Sequence, residues 1–242
     1  MSEPWRLGIL GGMGPLATLD LQQKILSATP AQSDQDHVPT VVWNVPQIAD
    51  RQRALAGDGP SPLPQLLNAL AGLNRAGVNH IAIPCNTAHH WYDALAAASQ
   101  APLLHIADIT AQAVAAQAVA AQEARPAAIG LIATRGTLDA GWYQTRFARL
   151  GIEVITPSAE ELRQWFVPGC YAVKRGALRE GGQLLHQLAE RLTARGADRL
   201  VLACTEVPPA LAAASSPHLS SAIDPTDALA QACVQLWRRA RT

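Results

Sequence analysis

The sequence predicts an α/β protein of two pseudo-symmetric lobes. Each lobe carries a mostly parallel sheet flanked by helices, and the active site is expected in the cleft between them. Three observations lead there. Short, near-continuous apolar runs alternate with longer alanine- and leucine-rich segments along all 242 residues, the pattern of parallel strands covered on both faces by helices. Several phrases recur about half a chain apart. The composition, 49% hydrophobic and 16% charged, suits a chain with a sizeable core.

The expected strands are LGIL (7–10), TVVW (40–43), HIAIP (80–84), LLHI (103–106), AIGLIA (128–133), EVIT (153–156), RLVLA (199–203) and a weak SAI (221–223). Helices are expected over 15–28, 63–76, 87–99, 109–123, 137–149, 176–195 and 225–240, where apolar residues follow a helical rather than an alternating period. The Gly- and Pro-rich stretch 56–64 reads as an exposed, mobile loop. GVNHIAIPC (77–85) matches GADRLVLAC (196–204), LGILGGMG (7–14) matches IGLIATRG (129–136), and TVVWNVP (40–46) loosely matches IEVITPS (152–158). Three collinear matches indicate an internal duplication. The expected lobes are 1–104 with a returning 211–242, and 105–210.

Lysine plus arginine equals aspartate plus glutamate, 19 each, so no basic footprint for nucleic acid or membrane is present. No apolar run approaches a membrane span, and the start MSEPWRLGIL lacks the pattern of a signal peptide. A cytoplasmic protein with four reduced cysteines is expected. Those cysteines (Cys85, Cys170, Cys204 and Cys233) are far apart and form no CxxC pair, so no metal site is expected. The CxxxHH at Cys85 lacks a second ligand cluster.

The chemistry lies in the repeat. Cys85 and Cys204 each end a strand just before a helix start, followed by Asn86 and Thr87 in one copy and Thr205 in the other. Asparagine and threonine are good N-caps. Exposed N–H groups at a helix start favour a thiolate and can hold a carboxylate. Two such units supply two acid/base groups for opposite faces of one bound carbon, which is what stereoinversion requires. Cys233 falls on an apolar helical face and reads as core. Cys170 sits in a Pro-Gly segment and receives no catalytic role. His89 and His90 either support Cys85 or cap and pack the helix after it, and the second reading is favoured.

With these residues in place, the sequence resembles the aspartate/glutamate racemase family, nearest its cofactor-independent aspartate racemases. The matching segments are GILGGMGPLAT (8–18), DQDHVP (34–39), NVPQIADR (44–51), IPCNTAHHWYD (83–93), LHIADIT (104–110), GLIATRGT (130–137), YAVKRG (171–176), GADRLVLACTEVP (196–208) and IDPTD (223–227). They run through almost the whole chain. The resemblance implies a two-base racemase acting on an acidic amino acid, aspartate before glutamate. It implies no cofactor, a small-molecule substrate and a homodimer. Cys85 and Cys204 match the catalytic pair. Asn86, Thr87 and Thr205 match residues that hold the α-carboxylate, and Arg51 and Lys174 match cations used on substrate carboxylates. Met13, in the first matching segment, and Glu206, where glutamate racemases carry histidine, complete the expected substrate-binding set.

Rival readings remain at this level. GMGPLA (12–17) fits a short dinucleotide fingerprint, which would suit a nucleotide-binding oxidoreductase. A pyridoxal phosphate racemase would need Lys24 or Lys174, the only lysines, for its Schiff base. Hydantoin racemases and maleate isomerases share the fold and use strand-end cysteines.

Overall fold

The computed structural model describes residues 5–122 and 124–241. The chain forms two compact α/β units. One comprises the residues up to Ile109 and those from Thr226 onward, the other Thr110–Pro225. These boundaries fall later in the chain than the expected 104/105 and 210/211.

In the first unit, β1 (Leu7–Gly11) leads into α1 (Pro15–Ala28), β2 (Thr40–Asn44), α2 (Arg51–Leu55), α3 (Leu63–Arg75), β3 (His80–Ala82), a 3-10 turn (Thr87–Trp91) and α4 (Tyr92–Ala98). The sheet order is β2-β1-β3 and all pairings are parallel. β1 is central and wholly buried, whereas the edge strand β2 is half exposed. Helix α3 shows why these segments are helical. Leu66, Ala69, Leu70 and Leu73 are buried at the i, i+3, i+4, i+7 spacing of one face. Each leucine so buried contributes about 1.5–3 kcal/mol.

Helix α5 (Ile106–Ala121) carries the chain into the second unit. There follow β4 (Ala128–Ala133), α6 (Arg135–Ala140), α7 (Trp142–Ala148), β5 (Glu153–Ile155), α8 (Ala159–Glu161), a π-helical turn (Leu162–Phe166), α9 (Val167–Lys174), α10 (Leu178–Ala194), β6 (Arg199–Ala203), α11 (Val207–Ala213) and a 3-10 turn (Pro217–Ser221). The sheet is again parallel, in the order β5-β4-β6. Helix α12 (Pro225–Arg241) then belongs almost entirely to the first unit. Its Leu229, Cys233, Val234 and Trp237 share an apolar cluster with Leu7 and Ile9 of β1.

The duplication is visible in detail. Gly77 (φ +63°) and Gly196 (φ +98°) end α3 and α10 in left-handed conformations that favour glycine. Two residues later, Asn79 Oδ1 accepts from the Arg6 amide at 2.7 Å, and Asp198 Oδ2 accepts from the Ala127 and Ala128 amides at 2.8 and 3.0 Å. Each side chain ties the start of one strand to its central neighbour.

Several elements differ from expectation. LLHI and SAI contribute only single parallel bridges, Ile81 with Leu103 and Val201 with Ile223. In each case a helix starts within three residues, at Ile106 or Pro225. The helix expected over 137–149 begins at Arg135 and is divided at Gly141, whose φ is +69°. The end of the helix expected over 109–123 lies at residue 123, outside the described residues. The largest difference is the helical stretch 159–174, where no helix is expected. Ser158 and Glu161 form a capping box at its start, and the π-helical turn directly before α9 interrupts the regular hydrogen-bond ladder near Pro168, which brings no N–H.

The GMGPLA turn has a packing explanation. A Cβ on Gly12 would meet Val45 backbone atoms at 2.3–2.5 Å, and one on Gly11 would meet Thr18 Oγ1 at 2.4 Å. Thr18 Oγ1 also accepts from the Gly12 amide at 2.9 Å. These glycines let β1 pass close to the loop after β2 and to α1.

Candidate active site

In the first unit, Cys85 follows β3 through Ile83 and Pro84 and is buried, as are Asn86 and Thr87. Asn86 stands at the N-cap of the 3-10 turn, but its side chain does not cap it. The neighbourhood is set by His89, which is 2% exposed. Its Nδ1 lies 2.9 Å from the Cys85 carbonyl, and its Nε2 lies 3.2 Å from the Ile106 amide. An amide can only donate, so Nε2 accepts and the proton sits on Nδ1, donating to Cys85. His89 therefore pins the backbone of Cys85 to the start of α5. His90 is exposed.

Met13 shares one buried apolar cluster with Cys85 and Ile48. Arg51 opens α2, which packs against the 3-10 turn carrying Thr87. Asp50 caps that helix, accepting from the Gln52 and Arg53 amides at 2.8 and 3.1 Å. Arg51 Nη1 donates to the carbonyls of Ile48 and Ala49 at 3.1 and 3.0 Å. Its Nε is buried without a hydrogen-bond partner, a donor still to be satisfied.

In the second unit, Cys204 follows β6 directly, and Glu206 is the N-cap of α11. Thr205, expected as a cap, lies one residue too early for that role. Glu206 Oε2 accepts from the Cys204 thiol at 3.0 Å and from Thr205 Oγ1 at 3.2 Å. The sequence reading missed Cys170. Its Sγ lies 3.8 Å from that of Cys204, and both thiols are buried. The neighbouring Cys170 thiol, burial and the Glu206 carboxylate together hold the Cys204 thiol well above its ordinary value. This corrects the expectation that a helix start makes Cys204 a ready thiolate. The adjoining Cys170 thiol, desolvation and a nearby negative charge outweigh the few N–H groups of a short helix. Lys174 lies one turn beyond Cys170 on α9, exposed, with its ammonium 4.8 Å from the centre of the Tyr171 ring.

Close packing sets Cys170 in place. A Cβ on Gly181 would meet the Gly169 carbonyl oxygen at 2.7 Å, and one on Gly182 would meet that of Ala210 at 2.1 Å. Small residues thus let α10 lie tightly against both α9 and α11. A cavity of about 620 Å³ in this unit is lined by Val114, Gln117, Pro126, Asp198 and Arg199. It opens at the start of β6, the opposite end of the strand from Cys204.

Residues 10–233 match the sequence model of the Asp/Glu/Hydantoin racemase family. The chain belongs to that family. By family it is an isomerase, an amino-acid racemase. Among solved structures, this racemase is similar to the aspartate racemase of Picrophilus torridus, with a TM-score of 0.82 and 28% identity over 97% of this chain and 94% of that one. It shares the fold of the Francisella tularensis glutamate racemase solved with D-glutamate, with a TM-score of 0.69 and 14% identity over 98% of this chain and 82% of that one. It is 27% identical over 208 residues to the broad specificity amino-acid racemase RacX of Bacillus subtilis, covering 83% of this chain and 85% of RacX. Among the described residues, no helix is long and apolar enough to cross a membrane.

Proposed function

We propose that this racemase inverts the α-carbon of an acidic amino acid, aspartate first, by a two-base mechanism that uses Cys85 and Cys204 and no cofactor. The observation that carries the reading is the repeated position of the two cysteines. In each unit the third strand of a β2-β1-β3-type sheet is followed, within three residues, by a buried cysteine and a hydroxyl-bearing turn. The likeness to the Picrophilus aspartate racemase supports the choice of substrate.

The environment of Cys204 supports one order for the first half-step. Its thiol is held well above its ordinary value, which favours Cys204 as the proton donor of the first half-step and leaves the role of base to Cys85. The Cys85 thiolate takes the α-proton and becomes a thiol. The Cys204 thiol delivers its proton to the other face of the carbanion and becomes a thiolate. The enzyme then stands in the form that runs the reverse reaction. The carbanion needs electrostatic support, which Asn86, Thr87 and Thr205 supply at the α-carboxylate. Arg51 and Lys174 supply cationic partners for carboxylates; the buried Arg51 Nε suits an oxygen acceptor. Met13 forms apolar wall, and the Glu206 carboxylate orients the Cys204 thiol and suits a substrate ammonium. The active assembly is a homodimer, which sedimentation of the purified chain checks.

The test is inversion with isotope exchange. Purified protein without added cofactor is incubated in D2O with L-aspartate, then L-glutamate, and the products are separated by chirality and weighed. D-aspartate with deuterium at Cα, reduced by about 10²-fold or more in Cys85→Ala and in Cys204→Ala, is expected. Inversion that survives either substitution would remove the two-thiol mechanism. The likeness to RacX favours a second reading, a wider amino-acid range, which the same assay with neutral and basic amino acids decides.

A further inference from the structure

Two histidines and a glutamate on the second unit lie together, outside the group around Cys204. His186 and Glu190 are one turn apart on α10, and His218 belongs to the 3-10 turn Pro217–Ser221. One donor atom from each lies within 4.8 Å of the others. Glu190 Oε1 is 3.9 Å from His186 Nε2 and is hydrogen-bonded to His218 Nε2. The imidazole rings sit 5.6 Å apart between centres. His186 Nδ1 lies 2.9 Å from Ser216 Oγ. A ring nitrogen held this way directs the other nitrogen toward a metal and sets the tautomer, the role of an outer-shell partner.

The donor set has a definite chemistry. Two imidazoles and one carboxylate suit zinc, cobalt or nickel better than magnesium or calcium, which prefer oxygen alone. Around such an ion, with bonds of about 2.0–2.1 Å, tetrahedral donors stand about 3.4 Å apart. The His186–Glu190 spacing of 3.9 Å is near that value, and the hydrogen-bonded Glu190–His218 contact is shorter and must open to admit the ion. Side-chain exposures of 30%, 53% and 17% for His186, Glu190 and His218 leave the ion within reach and a fourth position for water.

We propose that His186, Glu190 and His218 form a divalent transition-metal site that staples α10 to the turn after α11. The consequence reaches the fold of this unit. The 217–221 turn leads to Ile223, which bridges to β6, and α10 packs against α11 and β6. Metal binding therefore ties together the elements that end at Cys204, without touching the thiol.

The site is tested with Co²⁺ and Zn²⁺ on the whole chain. Titration with Co²⁺ should give visible d–d absorption without the near-ultraviolet thiolate-to-cobalt band that cysteine ligation produces. Zn²⁺ should raise the melting temperature. His218→Ala and His186→Ala should each weaken Co²⁺ binding by about 100-fold or more and abolish the zinc-dependent shift, and Ser216→Ala should weaken it by about 10-fold, as expected of an outer-shell partner. Glu190→Gln, a nearly isosteric change on an exposed side chain, should also weaken binding and keeps the test open if a histidine variant misfolds. Absence of binding at micromolar metal would overturn the site. So would binding that survives both histidine substitutions, or a thiolate band that disappears in Cys170→Ala or Cys204→Ala.

Discussion

The sulfur atoms of Cys170 and Cys204 lie 3.8 Å apart in the interior of the second unit, and the Glu206 carboxylate approaches the Cys204 thiol to 3.0 Å. The cysteine that ends β6 is thus held as a thiol by its neighbours. The adjoining Cys170 thiol is the largest cause, ahead of burial and the carboxylate.

Replacing Cys170 by alanine should therefore lower the pH at which Cys204 ionises. Iodoacetamide alkylation of Cys204, followed by mass spectrometry between pH 7 and 10, reads this directly. The variant should reach its maximal rate at lower pH than the wild type. An unchanged profile would show that burial and Glu206 alone control the thiol. The opened space removes one side-chain sulfur from a core cluster, so a stability loss on the order of 1 kcal/mol should accompany the change.

The position of Cys170 itself rests on small residues. Gly182→Ala places a Cβ 2.1 Å from the Ala210 carbonyl oxygen and 2.7 Å from the Ala214 Cβ. A backbone carbonyl cannot rotate away as a side chain can, so α10 and α11 must separate. Overpacking of this kind costs about 1–3 kcal/mol, despite the better helix propensity of alanine. Urea unfolding should show that loss. Gly176→Ala is a poor control because its φ is +89°, whereas Gly14→Ala meets no atom within 4 Å and should change stability far less.

The contrast between the two strand-end cysteines explains what the sequence could and could not disclose. Cys85 and Cys204 stand out because the same apolar run precedes both, and the two parallel sheets with identical strand order follow from the same repeat. Cys170 does not stand out. The residues Val167, Pro168 and Gly169 read as a break in structure, yet the capping box at Ser158 and the π-helical turn before Pro168 carry a helix through it. The protonation of Cys204 was hidden for the same reason, since its chief cause lies 34 residues earlier in the chain. Local logic anticipated a thiolate at a helix start. Burial beside a second thiol and a carboxylate reverses that, and only tertiary packing reveals it. Likewise, His186 and Glu190 form an i, i+4 pair that sequence can show, but His218 joins them only through the turn after α11.

Stability should decline in alkaline solution, and Cys233 makes the sign testable. Burial pushes its thiol up to about 12, against about 8.5 in an unfolded chain. Between those values the folded state keeps a proton that the unfolded state has released, so stability falls as pH rises. The contribution is intact below about pH 8.5 and declines by about 1.4 kcal/mol per pH unit above it. By pH 10 one such group costs about 2 kcal/mol. Cys204, raised chiefly by the Cys170 thiol and then by burial, adds to the slope over the same range, and Tyr143, raised chiefly by burial, adds to it only above about pH 10. Cys233→Ala removes one group while also losing a buried sulfur from the cluster of α12 and β1. The variant should be less stable at pH 7.5 and should lose less stability than the wild type between pH 8.5 and 10. Urea titrations under reducing conditions at several pH values measure both slopes. Parallel curves for the two proteins would mean that Cys233 does not hold its proton in the fold.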